Sequence, residues 1–198
     1  MRWDRLFDDI ESQLERGLGA EEDDLAAEEE RLRVARVGLR DRLVAVRAMQ
    51  PDSGVRIELS DRTRLDLRLT DVGRDWIAGV VLAEGRERAA VVVPMPAIGS
   101  ITLRPQDAAS PPPTATPDLA ARLGLPFVLR DLCRRRTPIQ LTVGDGVVHG
   151  TIDRVGRDHL DLAVHPPDVP RRASAVTEVR LVSLSAVRLI SYAVSRRR

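Results

Sequence analysis

The tetrapeptide Val72-Gly73-Arg74-Asp75 recurs word for word as Val155-Gly156-Arg157-Asp158, and no other feature of this 198-residue chain limits its fold as much. Self-similarity at long period marks a duplicated structural unit. Three further blocks match in the same order. Val55, Ile57 and Leu59, followed by Ser60-Asp61, correspond to Ile139, Leu141 and Val143, followed by Gly144-Asp145. Val93-Pro94-Met95-Pro96-Ala97-Ile98 with Ile101 corresponds to Val182-Ser183-Leu184-Ser185-Ala186-Val187 with Ile190. Upstream, Leu39-Arg40-Asp41 matches Leu129-Arg130-Asp131. The chain therefore reads as a tandem duplication of helix, four strands, helical turn and strand.

Periodicity supplies the elements. Val55, Ile57 and Leu59 alternate with Arg56 and Glu58, the period of a half-buried strand, and Leu65, Leu67 and Leu69 alternate again after the turn Ser60–Thr63. A third strand is expected over about 75–83 and a fourth ending in Val91-Val92-Val93. Pro94 and Pro96 forbid further pairing, so residues 95–99 are expected to form one short helical turn before a fifth strand at Ile101. The opening 50 residues read as helix. Trp3, Leu6, Phe7, Ile10 and Leu14 make one apolar stripe, and Leu25, Leu32, Leu39 and Val46 recur every seven residues. That second pattern suits either a helix laid on a domain or a short coiled-coil seam, although Glu28 and Glu29 are polar where a seam needs apolar residues.

The repeated corner has structural work to do. Gly73 and Gly156 stand between strands two and three of their copies, where the chain needs positive φ or close backbone approach. Asp75 and Asp158 can accept hydrogen bonds from turn amides, and Val72 and Val155 can anchor the corner in a core.

This element order and the Val-Gly-x-Asp corner resemble the Sm-like or SH3-like small barrel over about 50–105 and 125–194. The layout is similar to tandem small-barrel proteins of the actinobacterial type sometimes labelled as transcriptional regulators; the exclusive use of Arg fits a GC-rich genome. The resemblance implies a mostly β fold with α elements: an N-terminal helical arm, then two five-stranded barrels, each preceded by a helix, superposable over 55–104 and 139–193. It also implies assembly through the edges of strands four and five. Sm-like RNA-reading loops carry Asp-x-x-x-Asn and Arg-Gly patterns, and neither stands in its place here. No helix-turn-helix pattern is present.

Four segments follow: a helical arm over 1–50, a first barrel over 51–104, a Pro-rich linker over 105–117 that holds Pro111-Pro112-Pro113, and a helix plus second barrel over 118–198. Asp118 is the expected N-cap of the second helix, which should bend near Pro126. All 31 cations are Arg, against 30 acids. Charge is segregated, with net −4 over 1–50, −1 over 51–117 and +6 over 118–198, which suggests that the ends meet different partners or each other. The first residues lack an apolar signal core, no apolar run has membrane-spanning length, and the single Cys133 excludes an intrachain disulfide, so a cytoplasmic protein is expected.

Chemistry-bearing clusters are few. His149, His159 and His165 lie in or beside strands of the second copy at spacings that form no helical ligand pair, and His159 occupies the place of Trp76. Neither a nucleophile elbow nor a phosphate-cradling glycine loop is present, so no enzyme, cofactor or metal is expected. The sequence points to a binding or adaptor protein, with Trp3, Leu6, Phe7 and Ile10 as docking residues and barrel edges as further contacts. The alternative is an RNA- or DNA-associated regulator holding phosphates non-specifically through Arg134, Arg135, Arg136, Arg171 and Arg172. Arg196–Arg198 forms a third cationic run.

Overall fold

The structure, a computed structural model, describes residues 25–49, 54–83, 86–105, 119–167, 169 and 171–193. Outside these lie Trp3, Leu6, Phe7 and Ile10, the proline triplet, Asp118 and the final arginines. The chain divides into two compact units, residues up to Leu39 and Arg40–Arg198.

In the first unit, helix α1 covers 25–35, and its described residues are exposed. Ion pairs along its surface link Arg31 to Glu28 at 3.2 Å and Arg33 to Glu30 at 2.6 Å. The sevenfold apolar pattern divides here. Leu25, Leu32 and Leu39 are exposed, whereas Val46 is buried. Helix α2, Leu39–Met49, turns Leu43 and Val46 onto the first strands, so from Arg40 onward the pattern marks a helix packed on a sheet.

The second unit is built on ten antiparallel strands: β1 Gly54–Leu59, β2 Arg64–Val72, β3 Trp76–Ala83, β4 Arg86–Pro94, β5 Ile98–Thr102, β6 Pro138–Val143, β7 Gly146–Val155, β8 His159–Val164, β9 Glu178–Ser183 and β10 Val187–Tyr192. They form one sheet in the order β5-β1-β2-β3-β4-β10-β6-β7-β8-β9. Each half repeats the order fifth, first, second, third, fourth. The repeat also holds in register. Trp76 faces Pro94 as His159 faces Ser183, and Ile57 faces Ile101 as Leu141 faces Ile190.

The expectation of two tandem five-stranded barrels holds in its strands, but these form one open antiparallel sheet. Within each half the fourth strand does not pair with the fifth. Instead β4 pairs with β10, placing Val92 against Ile190, Val91 against Ser191 and Ala90 against Tyr192. Hydrogen-bonding groups that could close one half are used to join the two, and the sheet stays open at β5 and β9. Register shifts at Leu69/Asp71 in β2 and Ile152/Arg154 in β7 bend both halves at equivalent places. The long loop over 165–175 between β8 and β9 holds a 3-10 turn at Ala173–Ala175 and no strand among the described residues.

Two cores result. One gathers Leu43, Val46, Ile57, Leu67, Ile77 and Val91 under α2. The other gathers Leu129, Leu132, Leu141, Ile152, Leu160 and Ile190 under helix α3, Leu125–Arg134. They interlock, because Trp76 and Val92 of the first half belong to the second core and Leu189 packs on the first. Helix α3 starts later than Asp118 would place it, after a 3-10 turn at Leu119–Arg122, with Gly124 as N-cap and Pro126 in its first turn, where no amide is required.

Candidate functional site

The two copies of the corner keep the same backbone bonds. Gly73 N–H donates to the Trp76 carbonyl at 2.8 Å, and Gly156 N–H to that of His159 at 2.9 Å. Met95 N–H donates to the Asp75 carbonyl at 2.9 Å, as Leu184 N–H does to that of Asp158 at 2.8 Å. Close approach explains both glycines. A Cβ on Gly73 would lie 2.2 Å from the Trp76 ring, and one on Gly156 would lie 2.5 Å from the His159 ring. Positive φ falls elsewhere, at Arg62 and Gly144 in the hairpin turns and at Arg136. Val72 is fully buried and Val155 half-buried, as anchors should be.

Asp75 and Asp158 diverge in use. The Asp75 carboxylate accepts Leu125 N–H at 2.7 Å, capping α3 from another element. The Trp76 indole N–H donates to the Leu123 carbonyl at 2.9 Å beside it. Asp158 instead meets the ring of exposed His159 at 2.9 Å, and that bond holds its carboxyl below the ordinary range.

The arginines marked by charge runs are mostly engaged. Arg134 and Arg135 both bond Asp131, at 2.5 and 2.7 Å, and these bonds, that from Arg134 foremost, hold its carboxyl below the ordinary range. Arg171 bonds Asp153 at 2.6 Å, and Arg136 lies 3.9 Å from the same carboxylate. Arg136 also ends α3. It adopts φ of 53°, its N–H donates to the Cys133 carbonyl, and Thr137 N–H donates to that of Leu132, a Schellman closure with arginine where glycine is usual. Arg172 is exposed.

A different set of cations converges where the two corners meet the start of α3. Arg74, Arg122, Arg130 and Arg157 line a cleft of about 630 Å³ with Gly124, Phe127 and Gly156. All four are exposed, and Phe127 is 54% exposed. Arg74 touches Asp75 at 3.4 Å and lies over Gly124, where an added Cβ would stand 2.6 Å from its guanidinium. Charge runs in sequence gave no sign of this group, because its members are single arginines from four segments. The signal that could have found it is the repeated corner, whose third letter is Arg in both copies.

The histidines and cysteine fill structural places. His165 is buried, with Nδ1 2.9 Å from the Pro166 carbonyl and Nε2 2.8 Å from the Thr151 hydroxyl, so both ring nitrogens have hydrogen-bond partners. The Cys133 thiol is half-buried and donates to the Asp153 carbonyl at 3.4 Å. Among the described residues no group of three or more His, Cys, Asp or Glu could hold a metal ion, and no helix is long and apolar enough to cross a membrane. The chain matches no protein-family model, no curated protein and no solved structure.

Proposed function

We propose that this chain is a non-enzymatic binding or adaptor protein that acts by strand addition at its two open sheet edges, with the helical arm and its Trp3, Leu6, Phe7 and Ile10 as a second contact. One observation carries the reading. Val179 and Leu181 on edge strand β9 are 55% and 74% exposed, whereas Val92, which holds the place of Leu181 in the first half, is fully buried beneath the β4–β10 pairing. An edge with unpaired backbone groups and uncovered apolar side chains is a template for another strand.

The strand that fits is already in the molecule. Carrying the β4–β10 register through the repeat sets Leu181 against Ile101, Arg180 against Thr102 and Val179 against Leu103 of a second copy. Open strand β5 of one chain would then extend β9 of the next, in a head-to-tail contact that repeats the internal joint. The strand order of each half supports an origin in two fused small-barrel units of the Sm-like or SH3-like kind.

Light scattering across a concentration series tests this. The expected result is mass rising with concentration, returned to that of one chain by Val179→Lys with Leu181→Lys while the circular dichroism spectrum is kept. One-chain mass at every concentration, or unchanged assembly in the double variant, would sink the edge reading.

A further inference from the structure

The repeated tetrapeptide has four letters, and the fold explains three. Valine is the core anchor, glycine admits the ring of Trp76 or His159, and aspartate closes hydrogen bonds. Arginine has no such task. Arg74 and Arg157 are exposed, yet the backbone brings these two letters into one cleft, where Arg122 joins from the 3-10 turn and Arg130 from α3. Like charges gathered at one place repel, so an unoccupied cluster costs stability unless carboxylates or a ligand offset it. Carboxylate cover is thin. Arg122, Arg130 and Arg157 have no carboxylate partner among the described residues. The Asp75 carboxylate at Arg74 already accepts the Leu125 amide.

The duplication sharpens this point. Arg130 holds the place of Arg40, which donates to the Gly73 carbonyl at 3.1 Å and so ties α2 to the first corner. Arg130 lies beside the equivalent Gly156 but lines the cleft instead. Phe127, one turn earlier on α3, adds an exposed ring to a wall otherwise rich in guanidinium groups. Phosphates suit the arginines, which bind them bidentately and keep their charge. A planar base suits the ring. Together they form the pairing by which single strands are held without sequence reading. An acidic peptide would meet the charges and leave the ring unused, and a duplex hides the faces of its bases.

We propose that this cleft binds single-stranded nucleic acid, with phosphates on Arg74, Arg122, Arg130 and Arg157 and one base stacked on Phe127. The contact is independent of the sheet edges. It also separates the cleft from the arginines at the end of α3, whose charges Asp131 and Asp153 already meet.

Fluorescence anisotropy with the full chain tests it, using labelled oligothymidylate and oligoadenylate, with the matching duplex, ATP and polyglutamate as competitors. Expected are single-strand binding that falls steeply with salt, a loss of roughly tenfold or more for Arg74→Gln with Arg157→Gln, and a loss of roughly tenfold for Phe127→Ala. Arg134→Gln with Arg135→Gln should lose much less. Should the first pair fail to fold, Arg122→Gln with Arg130→Gln takes its place. Absence of binding at low salt overturns the proposal, as does equal loss in the Arg134/Arg135 variant, which would indicate a diffuse basic surface. Polyglutamate competing as well as DNA, with Phe127→Ala inert, overturns it in favour of an acidic peptide. ATP displacing the strand at lower concentration than the unlabelled oligonucleotide overturns the strand and leaves a free nucleotide as ligand.

Discussion

The two halves share strand order, register and corner, yet they face their surroundings in different ways. In the first half nearly every special feature is occupied. Strand β4 is covered by β10, Asp75 caps α3, Arg40 bonds the corner, and Trp76 lies buried against the neighbouring core. In the second half the equivalent places are open. Strand β9 has one neighbour, the Asp158 carboxylate meets an exposed histidine, Arg130 lines a cleft, and His159 stands where the tryptophan would be. Duplication supplied two copies of every contact surface, and joining them in one chain consumed one set. What remains uncovered, apart from the β5 edge of the first half, lies in the second half.

The sharpest test of that asymmetry is the corner glycine. Alanine at Gly73 must displace the buried Trp76 ring, so Gly73→Ala is expected to cost about 1–3 kcal/mol in denaturant unfolding. Gly156→Ala meets a ring that is 47% exposed and can swing toward solvent, so its cost should be clearly smaller. Equal costs would break the distinction between an occupied and an open half.

A smaller difference is expected at the aspartates. Asp75→Ala removes the cap of α3 and should cost about 1 kcal/mol, whereas Asp158→Ala removes an exposed contact and should change stability little. A larger loss from Asp158 would mean that the second corner is also committed to the fold.

The smallest effect is acid titration. Bonds from Arg134 and Arg135 lower the folded pKa of Asp131, so its stabilising contribution is present above the ordinary carboxylate range and disappears as pH falls through the lowered folded value. Carbon-detected NMR should find Asp131 titrating below a typical surface aspartate, and Arg134→Gln should move it up. No movement would show that Arg134 does not hold this carboxylate in solution.

Local patterning made the strands, hairpins and repeat legible, because alternation and matched blocks are properties of nearby residues. The register of the joint was not legible, since nothing near Val92 names Ile190 as its neighbour, although the small-barrel resemblance implies contacts through fourth and fifth strands. A trace existed nonetheless. Val91, Val92 and Val93 are all buried, and such an unbroken apolar run belongs to a strand covered on both faces. The carboxylate partners of the cations were hidden in part for a related reason. Arg134-Arg135-Arg136 and Arg171 stand out as charge, but Asp153 is distant in sequence and its role appears only in the fold. Arg74 and Arg157 carry no charge-run signal, because each sits singly inside a motif whose other letters have structural roles.

Trp76 also makes the junction observable by light. Its indole N–H is held by the Leu123 carbonyl ahead of α3, its ring covers Gly73 of the first half, and its apolar surface belongs to the second core. The chain has one other tryptophan, Trp3. With Trp3 changed to Phe, intrinsic emission comes from the seam between the halves. A red shift and quenching then time the moment when α3 and the second core part from the first corner, without any attached dye.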